Sequence, residues 1–188
     1  MTLPANWRLP LAIAAAVVVA DQLTKEWALN ALADGRTIHV LWTLQFNLAF
    51  NSGMAFGRGQ GLGPLIGVVA TLVIVWLLLT LRNESSRLSS IGMGLLIGGA
   101  AGNLIDRLLR GDAWFRGSVV DFIDLQWFPI FNIADMAINI GAGLLILGSI
   151  LQARHRDGDN GDNGDNGDNG DNGEAEPVAA PDVDTPDH

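Results

Sequence analysis

Two aspartates among apolar neighbours are the residues of this chain best suited to chemistry. Asp121 and Asp135 flank the stretch Val-Val-Asp-Phe-Ile-Asp-Leu-Gln-Trp-Phe-Pro-Ile-Phe-Asn-Ile-Ala-Asp at positions 119–135. A carboxylate in such surroundings is costly unless it is paired, protonated or functional. Two close carboxylates share a proton near neutral pH, so that one is a base and the other an acid. Such a pair could activate a water for amide hydrolysis or carry protons through a transporter.

A third acid, Asp124, competes with Asp121 for this role. It stands three residues further on and would face the same way if the segment were helical. Other catalytic sets are missing, because the chain has no cysteine and its three histidines are isolated. Neither a Ser-His-Asp or Cys-His set nor a His/Cys metal site can be assembled, and we expect no metal and no cofactor.

The charge of the chain is divided unevenly. The formal net charge of the 188 residues is −9, but residues 157–188 alone carry −11 and the remainder +2. The body is therefore nearly neutral, and about half of the chain is hydrophobic. No cluster of basic residues predicts a nucleic-acid partner.

Four apolar segments are each long enough to cross a bilayer, which takes about 20 residues. They predict an all-α membrane protein whose domain, residues 1–156, has spans at about 10–32, 64–81, 91–109 and 131–151. The first span could be mistaken for a secretory signal. It lacks a convincing small-x-small cleavage site, so we interpret it as a retained helix.

The last part of the chain, 157–188, differs in kind. It contains five consecutive copies of Gly-Asp-Asn and then turns to Pro, Ala and Asp. Such a segment cannot bury a core, so we predict a disordered acidic tail. A calcium loop is the alternative, but the EF-hand pattern fails because no glutamate closes the loop.

Local structure outside the apolar cores of the spans is also visible in the sequence. Ile38–Phe46 is rich in β-branched and aromatic residues and predicts a strand, and Asn51-Ser-Gly53 predicts a turn. Span three carries small residues that let helix backbones approach closely. Gly94 and Gly98 have the small-xxx-small spacing that is typical of such packing.

The polar residues of the spans fall at one end of the helices. If the four spans alternate in direction, the polar positions collect on one side of the membrane: Asp21, Lys25, Asn103, Asp106, Arg107, Asn132 and Asp135, with Asp121 in the adjoining loop. Each has a simpler interpretation. Asp21–Lys25 and Asp106–Arg110 could be ion pairs four residues apart, and the two asparagines could join helices by hydrogen bonds. All of these simpler interpretations would have to hold at once for residues that lie at one depth in the membrane.

The orientation is weakly encoded. Five arginines lie on one side (Arg8, Arg82, Arg87, Arg154 and Arg156), and five lie on the other side in longer connections. The positive residues in the short loops favour a cytoplasmic location for both termini.

Several motifs occur together in this chain. They are Asp21-Gln-Leu-Thr-Lys25, Asn47-Leu-Ala-Phe-Asn51-Ser-Gly53-Met-Ala-Phe56-Gly57, Gly98-Gly-Ala-Ala-Gly102-Asn103-Leu-Ile-Asp106-Arg107, Val119-Val-Asp121-Phe and Phe128-Pro-Ile-Phe-Asn132-Ile-Ala-Asp135. These motifs come in one order and extend over about residues 10–152. In their residue types and their order, they resemble the motifs of the lipoprotein signal peptidases (signal peptidase II), which are bacterial membrane aspartyl proteases.

The resemblance implies four transmembrane helices with a small periplasmic β-rich cradle and an interfacial segment, in the bacterial inner membrane. Both termini would be cytoplasmic and the active site would lie at the periplasmic interface. The reaction would be cleavage before the lipidated cysteine of a diacylglyceryl-modified prolipoprotein, by a monomer in contact with membrane lipid. Asp121 and Asp135 would be catalytic. The inner apolar faces of spans two to four would hold the acyl chains, with Gly92, Gly94 and Gly98 leaving room. Matching positions that support the site or contact substrate are Asp21, Lys25, Asn51, Gly53, Gly102, Asn103, Asp106, Arg107, Asn132 and Ala134.

Two functions of other classes remain open on the residues alone. A small proton-coupled transporter would need ionisable residues through the membrane depth, whereas here they stop at one interface. A non-catalytic assembly or lipid-binding protein would tolerate replacement of the aspartates by asparagine.

Overall fold

The structure, a computed structural model, describes residues 4–53, 62–82, 84 and 86–162. Residues 1–151 form one compact unit, which holds every candidate site residue, and residues 152–188 form a second. In chain order the elements are α1 (Ala5–Ala31), β1 (Ile38–Leu41), β2 (Leu44–Asn51), α2 (Gly63–Leu81), α3 (Arg87–Leu109), β3 (Val119–Asp124) and α4 (Ile133–Asp162).

The four helices are each long and apolar enough to cross a membrane, as predicted. Two of them begin earlier than the apolar pattern indicated. Helix α1 begins after Pro4, whose carbonyl accepts the first turn's hydrogen bond from the Trp7 N–H at 3.0 Å. Helix α3 begins at Arg87 because the Ser86 hydroxyl accepts a hydrogen bond from the Ser89 N–H at 3.3 Å. A serine N-cap satisfies a donor that the helix leaves open.

The glycines of α3 are covered by neighbouring helices. A Cβ on Gly94 would lie 2.7 Å from the Pro10 carbonyl oxygen of α1, and Gly98 faces the next turn of the same helix. A Cβ on Gly92 would lie 2.9 Å from the Gly141 carbonyl oxygen of α4. The expectation that these glycines leave room for acyl chains is therefore wrong, because helix backbones occupy that space.

The strands form one antiparallel sheet in the order β1-β2-β3. The β structure predicted over Ile38–Phe46 is confirmed, but it forms two strands and not one, because the chain reverses there in a hairpin. Trp42 takes a left-handed backbone conformation with φ +50° at the reversal, which is rare for a bulky residue and which composition does not signal. In the register of β2 with β3, Ala49 lies opposite Asp121.

One face of the sheet packs on the end of α1. The rings of Phe46 and Phe122 lie 5.2 and 6.1 Å from the ring of Trp27, and Ala28 extends this apolar cluster. Successive side chains of a strand point to opposite faces. Asp121 therefore points away from the aromatic cluster.

The end of α4 reaches six residues into the predicted tail, since the helix continues to Asp162. Helix propagation adds a hydrogen bond per residue without a new nucleus, so a helix can run on past its apolar part. Residues 163–188 and the motif residues 54–57 lie outside the described residues. The disorder of tail residues 163–188 stays a prediction.

Candidate active site

A short return of the chain brings the two aspartates together. After β3 the backbone turns at Gln126, which has φ +68°. The Ile123 N–H then donates to the Phe131 carbonyl at 2.9 Å, and the Phe131 N–H donates to the Ile123 carbonyl at 3.0 Å. Helix α4 consequently starts beside β3, and Asp135 in its first turn comes close to the strand that carries Asp121.

Asp124 has a different position and a local role. Because the segment is a strand, Asp121 and Asp124 face opposite sides, and the helical alternative is wrong. One Asp124 carboxylate oxygen accepts the Gln126 N–H at 2.7 Å and the other accepts Gln45 Nε2 at 2.7 Å. Burial opposes ionisation, yet these hydrogen bonds hold the pKa of Asp124 below its usual value. Asp124 stabilises the turn.

Asn132 connects the two aspartates. Its Nδ2 donates to Asp121 Oδ1 at 2.6 Å, and its backbone N–H donates to Asp135 Oδ2 at 3.3 Å. In return the Asp135 N–H donates to Asn132 Oδ1 at 2.9 Å. This reciprocal pattern is a capping box that opens α4. One buried residue thus fixes the helix start and contacts both carboxyl groups, that of Asp121 through its side chain and that of Asp135 through its backbone N–H.

Asn103 supplies the second contact to Asp135 from α3. Its Nδ2 donates to Asp135 Oδ1 at 2.8 Å, so each oxygen of Asp135 accepts a hydrogen bond. Asn103 Oδ1 accepts from Lys25 Nζ at 2.9 Å and from Asn132 Nδ2 at 3.2 Å. The asparagines therefore form a continuous network with both aspartates.

A fully buried ion cluster lies behind this network. Lys25 Nζ is 2.8 Å from Asp21 Oδ2 and 2.8 Å from Asp106 Oδ2, and all three side chains have no exposed area. The predicted pair Asp21–Lys25 is confirmed, and so is the pair Asp106–Arg110 at 2.9 Å. Lys25 joins α1 to α3, a contact that the spacing along either helix could not reveal.

The ion cluster also positions the backbone beside each aspartate. Asp106 Oδ2 accepts the Val120 N–H at 3.2 Å, one residue before Asp121. Asp21 Oδ1 accepts the Ala134 N–H at 3.0 Å, one residue before Asp135. A buried carboxylate that accepts backbone donors holds their segments in place.

Two further residues belong to the cluster. Gln22, which was not among the predicted site residues, donates from Nε2 to Asp21 Oδ2 and to Asp106 Oδ1, both at 3.2 Å. Its signal is a carboxamide inside an apolar span, directly after a motif aspartate. Position 102 has no room for a side chain larger than that of glycine, because a Cβ on Gly102 would lie 2.6 Å from Asp21 Oδ2.

A cavity of about 1210 Å³ opens in front of the aspartates. Asn51, Gly53, Asn103, Arg107, Asp121 and Asp135 line its polar end, and apolar side chains of α2, α3 and α4 line the rest. Arg107 Nη2 donates to the Gly53 carbonyl at 3.1 Å. Arg107 Nη1 is buried and has no hydrogen-bond partner within the part of the chain that the structure describes.

The electrostatics of Asp121 suit a proton donor. Burial raises its pKa to about 7, and the neighbouring Asp135 carboxylate adds to the shift, while the Asn132 hydrogen bond opposes it. A carboxyl group with that pKa is partly protonated near neutrality.

All of the predicted site residues lie in the hydrogen-bond network around the two aspartates or on the wall of the cavity.

The fold and site together define a multi-pass membrane protein with paired carboxylates beside an apolar cavity. Comparison with known proteins identifies its family. The family model described as signal peptidase (SPase) II matches residues 13–151, and the chain belongs to that family. It is thus a bacterial lipoprotein-processing protease with membrane-spanning helices, as expected, and the transporter alternative is not favoured.

Individual relatives agree with this assignment. The chain is 38% identical to the lipoprotein signal peptidase of Mycobacterium leprae over 148 residues, 78% of this chain and 74% of the relative. It is 40% identical to that of Polynucleobacter necessarius over 151 residues, 74% and 88% of the two chains. Two solved structures of a bacterial membrane enzyme, each 30% identical, match with TM-scores of 0.67 and 0.62. The first match covers 77% of this chain and 89% of the solved one.

Proposed function

We propose that this protein is an aspartic endopeptidase in which Asp121 and Asp135 activate water. It removes signal peptides from diacylglyceryl-modified prolipoproteins by cleaving before the lipidated cysteine. The observation that carries the proposal is the contact of one buried residue, Asn132, with both carboxyl groups at the wall of one cavity.

The hydrogen bonds support distinct roles for the two aspartates. Both oxygens of Asp135 accept donors, which favours its ionised form as the base. Asp121 accepts from Asn132, and its raised pKa favours the protonated form as the acid. Asp135 takes a proton from water, which attacks the scissile carbonyl carbon. Asp121 stabilises the developing oxyanion with its proton and then donates that proton to the leaving amine as the carbon–nitrogen bond breaks, so the pair still holds one proton, now on Asp135.

The cavity offers suitable contacts for the substrate. The unpaired Nη1 of Arg107 can donate to a peptide carbonyl or to a lipid headgroup. The apolar walls include Val69 and Val73 of α2 and Leu104 of α3. These walls, rather than the covered glycines of α3, accommodate acyl chains while the scissile bond stays beside the aspartates.

The proposed function also requires a particular placement of the protein in the membrane. The sheet is a periplasmic cradle, the active site lies at the periplasmic interface of the inner membrane, both termini are cytoplasmic and the protein is a monomer. Exposed Trp42 and Trp114 on the side of the sheet suit the headgroup region, where tryptophans concentrate.

The absence of cysteine allows a direct test of orientation. The single-cysteine variant Trp114→Cys should react in intact cells with a membrane-impermeant maleimide. The variant Gln152→Cys should react only after permeabilisation. The reverse labelling pattern would contradict the proposed orientation.

The reaction itself is tested with purified protein in detergent. Two prolipoprotein peptides are compared, one with a diacylglyceryl-modified cysteine and one with a free cysteine. We expect mass spectrometry to show a product that begins at the lipidated cysteine, and little cleavage of the free-cysteine peptide. Cleavage elsewhere, or equal cleavage of both peptides, would contradict the proposed specificity.

A further inference from the structure

Asn139 is a polar side chain in an apolar part of α4. Its neighbours Met136, Ile138 and Ile140 are hydrophobic, and all four residues line the same cavity as Asp135. A polar side chain within a membrane span is rare and usually has a partner there. Among the described residues Asn139 makes no hydrogen bond to the side chains of the aspartate network, so the part of its carboxamide that its own helix leaves free lacks a protein partner.

The hydrogen bonds of Asn139 leave part of its carboxamide free. Nδ2 donates to the Asp135 carbonyl one turn earlier at 2.9 Å, which fixes the direction of the side chain. An asparagine has two N–H donors and one acceptor oxygen. The second N–H and Oδ1 have no protein partner among the described residues, and the side chain is exposed on the cavity wall.

The depth of Asn139 matches one part of the substrate. Four helical residues advance about 6 Å, so Asn139 lies one turn further into the membrane than Asp135. In a diacylglyceryl-modified cysteine the glycerol is joined to the sulfur by a thioether, and two ester carbonyls follow within a few bonds. With the scissile bond at the aspartates, these carbonyls reach the turn that carries Asn139.

We propose that the free N–H of Asn139 donates a hydrogen bond to an ester carbonyl of the diacylglyceryl group. Asn139 is thereby a specificity-determining residue that distinguishes ester-linked from ether-linked lipid. The inference rests on the proposed function. An ester carbonyl that enters an apolar cavity loses its water, and a protein donor offsets that loss. An alkyl ether has no carbonyl and gains little from this donor.

The alternative is that Asn139 only bonds to its own helix, as polar residues in spans often do. A substitution would then affect ester and ether substrates equally. The two explanations therefore predict different effects on the ratio of the KM for the ether substrate to the KM for the ester substrate. A change in fold stability does not alter this ratio.

The test uses the full-length protein and two peptides that differ only in the cysteine modification, diacylglyceryl or dialkylglyceryl. We expect the wild type to have a KM about tenfold lower for the ester substrate, the value of one hydrogen bond. Asn139→Leu should remove this preference by raising the ester KM, with kcat nearly unchanged. Asn139→Gln, which keeps a carboxamide, should restore part of it.

Controls separate the possible failures. Ile140→Ala changes the cavity wall without removing a polar group and should keep the ester preference, and Asn139→Ala replaces Asn139→Leu if the latter does not fold. An ester preference that survives in Asn139→Leu or Asn139→Ala, or that the wild type lacks, overturns the role of Asn139 and leaves the proposed function intact. Cleavage of neither substrate by folded wild type overturns both.

Discussion

Asn132 Nδ2 lies 2.6 Å from Asp121 Oδ1, so the residue that caps α4 is hydrogen-bonded to the middle of β3. The two segments that carry the aspartates are therefore joined at a single side chain. A change at Asn132 should alter the geometry of both carboxyl groups at once.

Replacement of Asn132 by alanine removes the donor to Asp121 and the acceptor for the Asp135 N–H. We expect kcat to fall about 100-fold or more, as for loss of a fixed donor in other active sites, with a smaller change in KM. Cleavage kinetics in detergent measure the effect. Asn30→Ala, an exposed asparagine of α1, is the matched control. An Asn132→Ala enzyme within twofold of wild type would show that the bridge is dispensable.

Lys25→Met removes the positive charge between two buried carboxylates. Asp21 and Asp106 would remain uncompensated, so the free energy of unfolding should fall by about 3–5 kcal/mol. Thermal unfolding in detergent measures the loss. Arg36→Ala breaks the exposed pair with Asp34, which solvent screens, and should change the melting temperature little. Equal losses in the two variants would argue against a special role for the buried cluster.

Gly102→Ala places a methyl group 2.6 Å from Asp21 Oδ2. The displaced carboxylate would weaken its bond to the Ala134 N–H, so both the melting temperature and kcat should fall. Gly143→Ala is the matched control, because nothing lies within 4 Å of its added Cβ. There the helix should gain about 0.5–1 kcal/mol from the loss of backbone freedom in the unfolded chain. Similar behaviour of the two variants would contradict tight packing at Gly102.

The raised pKa of Asp121 predicts the pH profile of cleavage. If Asp121 is the acid, kcat/KM should decline as pH rises through about 7, because the proton is then lost. A rate that stays constant from pH 6 to pH 9 would exclude Asp121 as the acid.

The same shift affects stability. The folded-state pKa of Asp121, about 7, lies above its usual value of 3.8, so the folded protein binds the proton more tightly. The contribution is fully present below pH 3.8 and is lost as pH rises through about 7. We expect the melting temperature of wild type relative to Asp121→Asn to decrease across this window. An unchanged difference would contradict the shift.

Much of the fold was predictable because apolar runs of spanning length leave few alternatives. The four spans were predicted with errors at the starts of α1 and α3, where polar residues interrupt the apolar pattern, and at the end of α4, which runs on to Asp162. The reversal at Trp42 was not visible, because a left-handed bulky residue carries no turn signature.

The candidate site was predictable only in part. The motif residues could be found from the family resemblance, and the pairs four apart from spacing on one helix. The contact of Lys25 with Asp106 joins residues of different helices, and the bridge at Gln22 depends on how α1 and α3 pack. The covering of the α3 glycines likewise depends on which neighbouring helix faces them. These relationships arise from tertiary packing.

The most direct test of the proposed mechanism compares Asp121→Asn, Asp135→Asn and Asp124→Asn in cleavage of a diacylglyceryl-modified prolipoprotein, with folding checked by thermal unfolding. Asparagine keeps the size of each side chain and removes its acid–base function. We predict that the first two variants are folded and lose at least about 1000-fold in kcat, a loss typical of essential catalytic groups. Asp124→Asn should keep most of its activity. A folded Asp121→Asn or Asp135→Asn enzyme with near-normal cleavage would contradict the assignment of the catalytic pair.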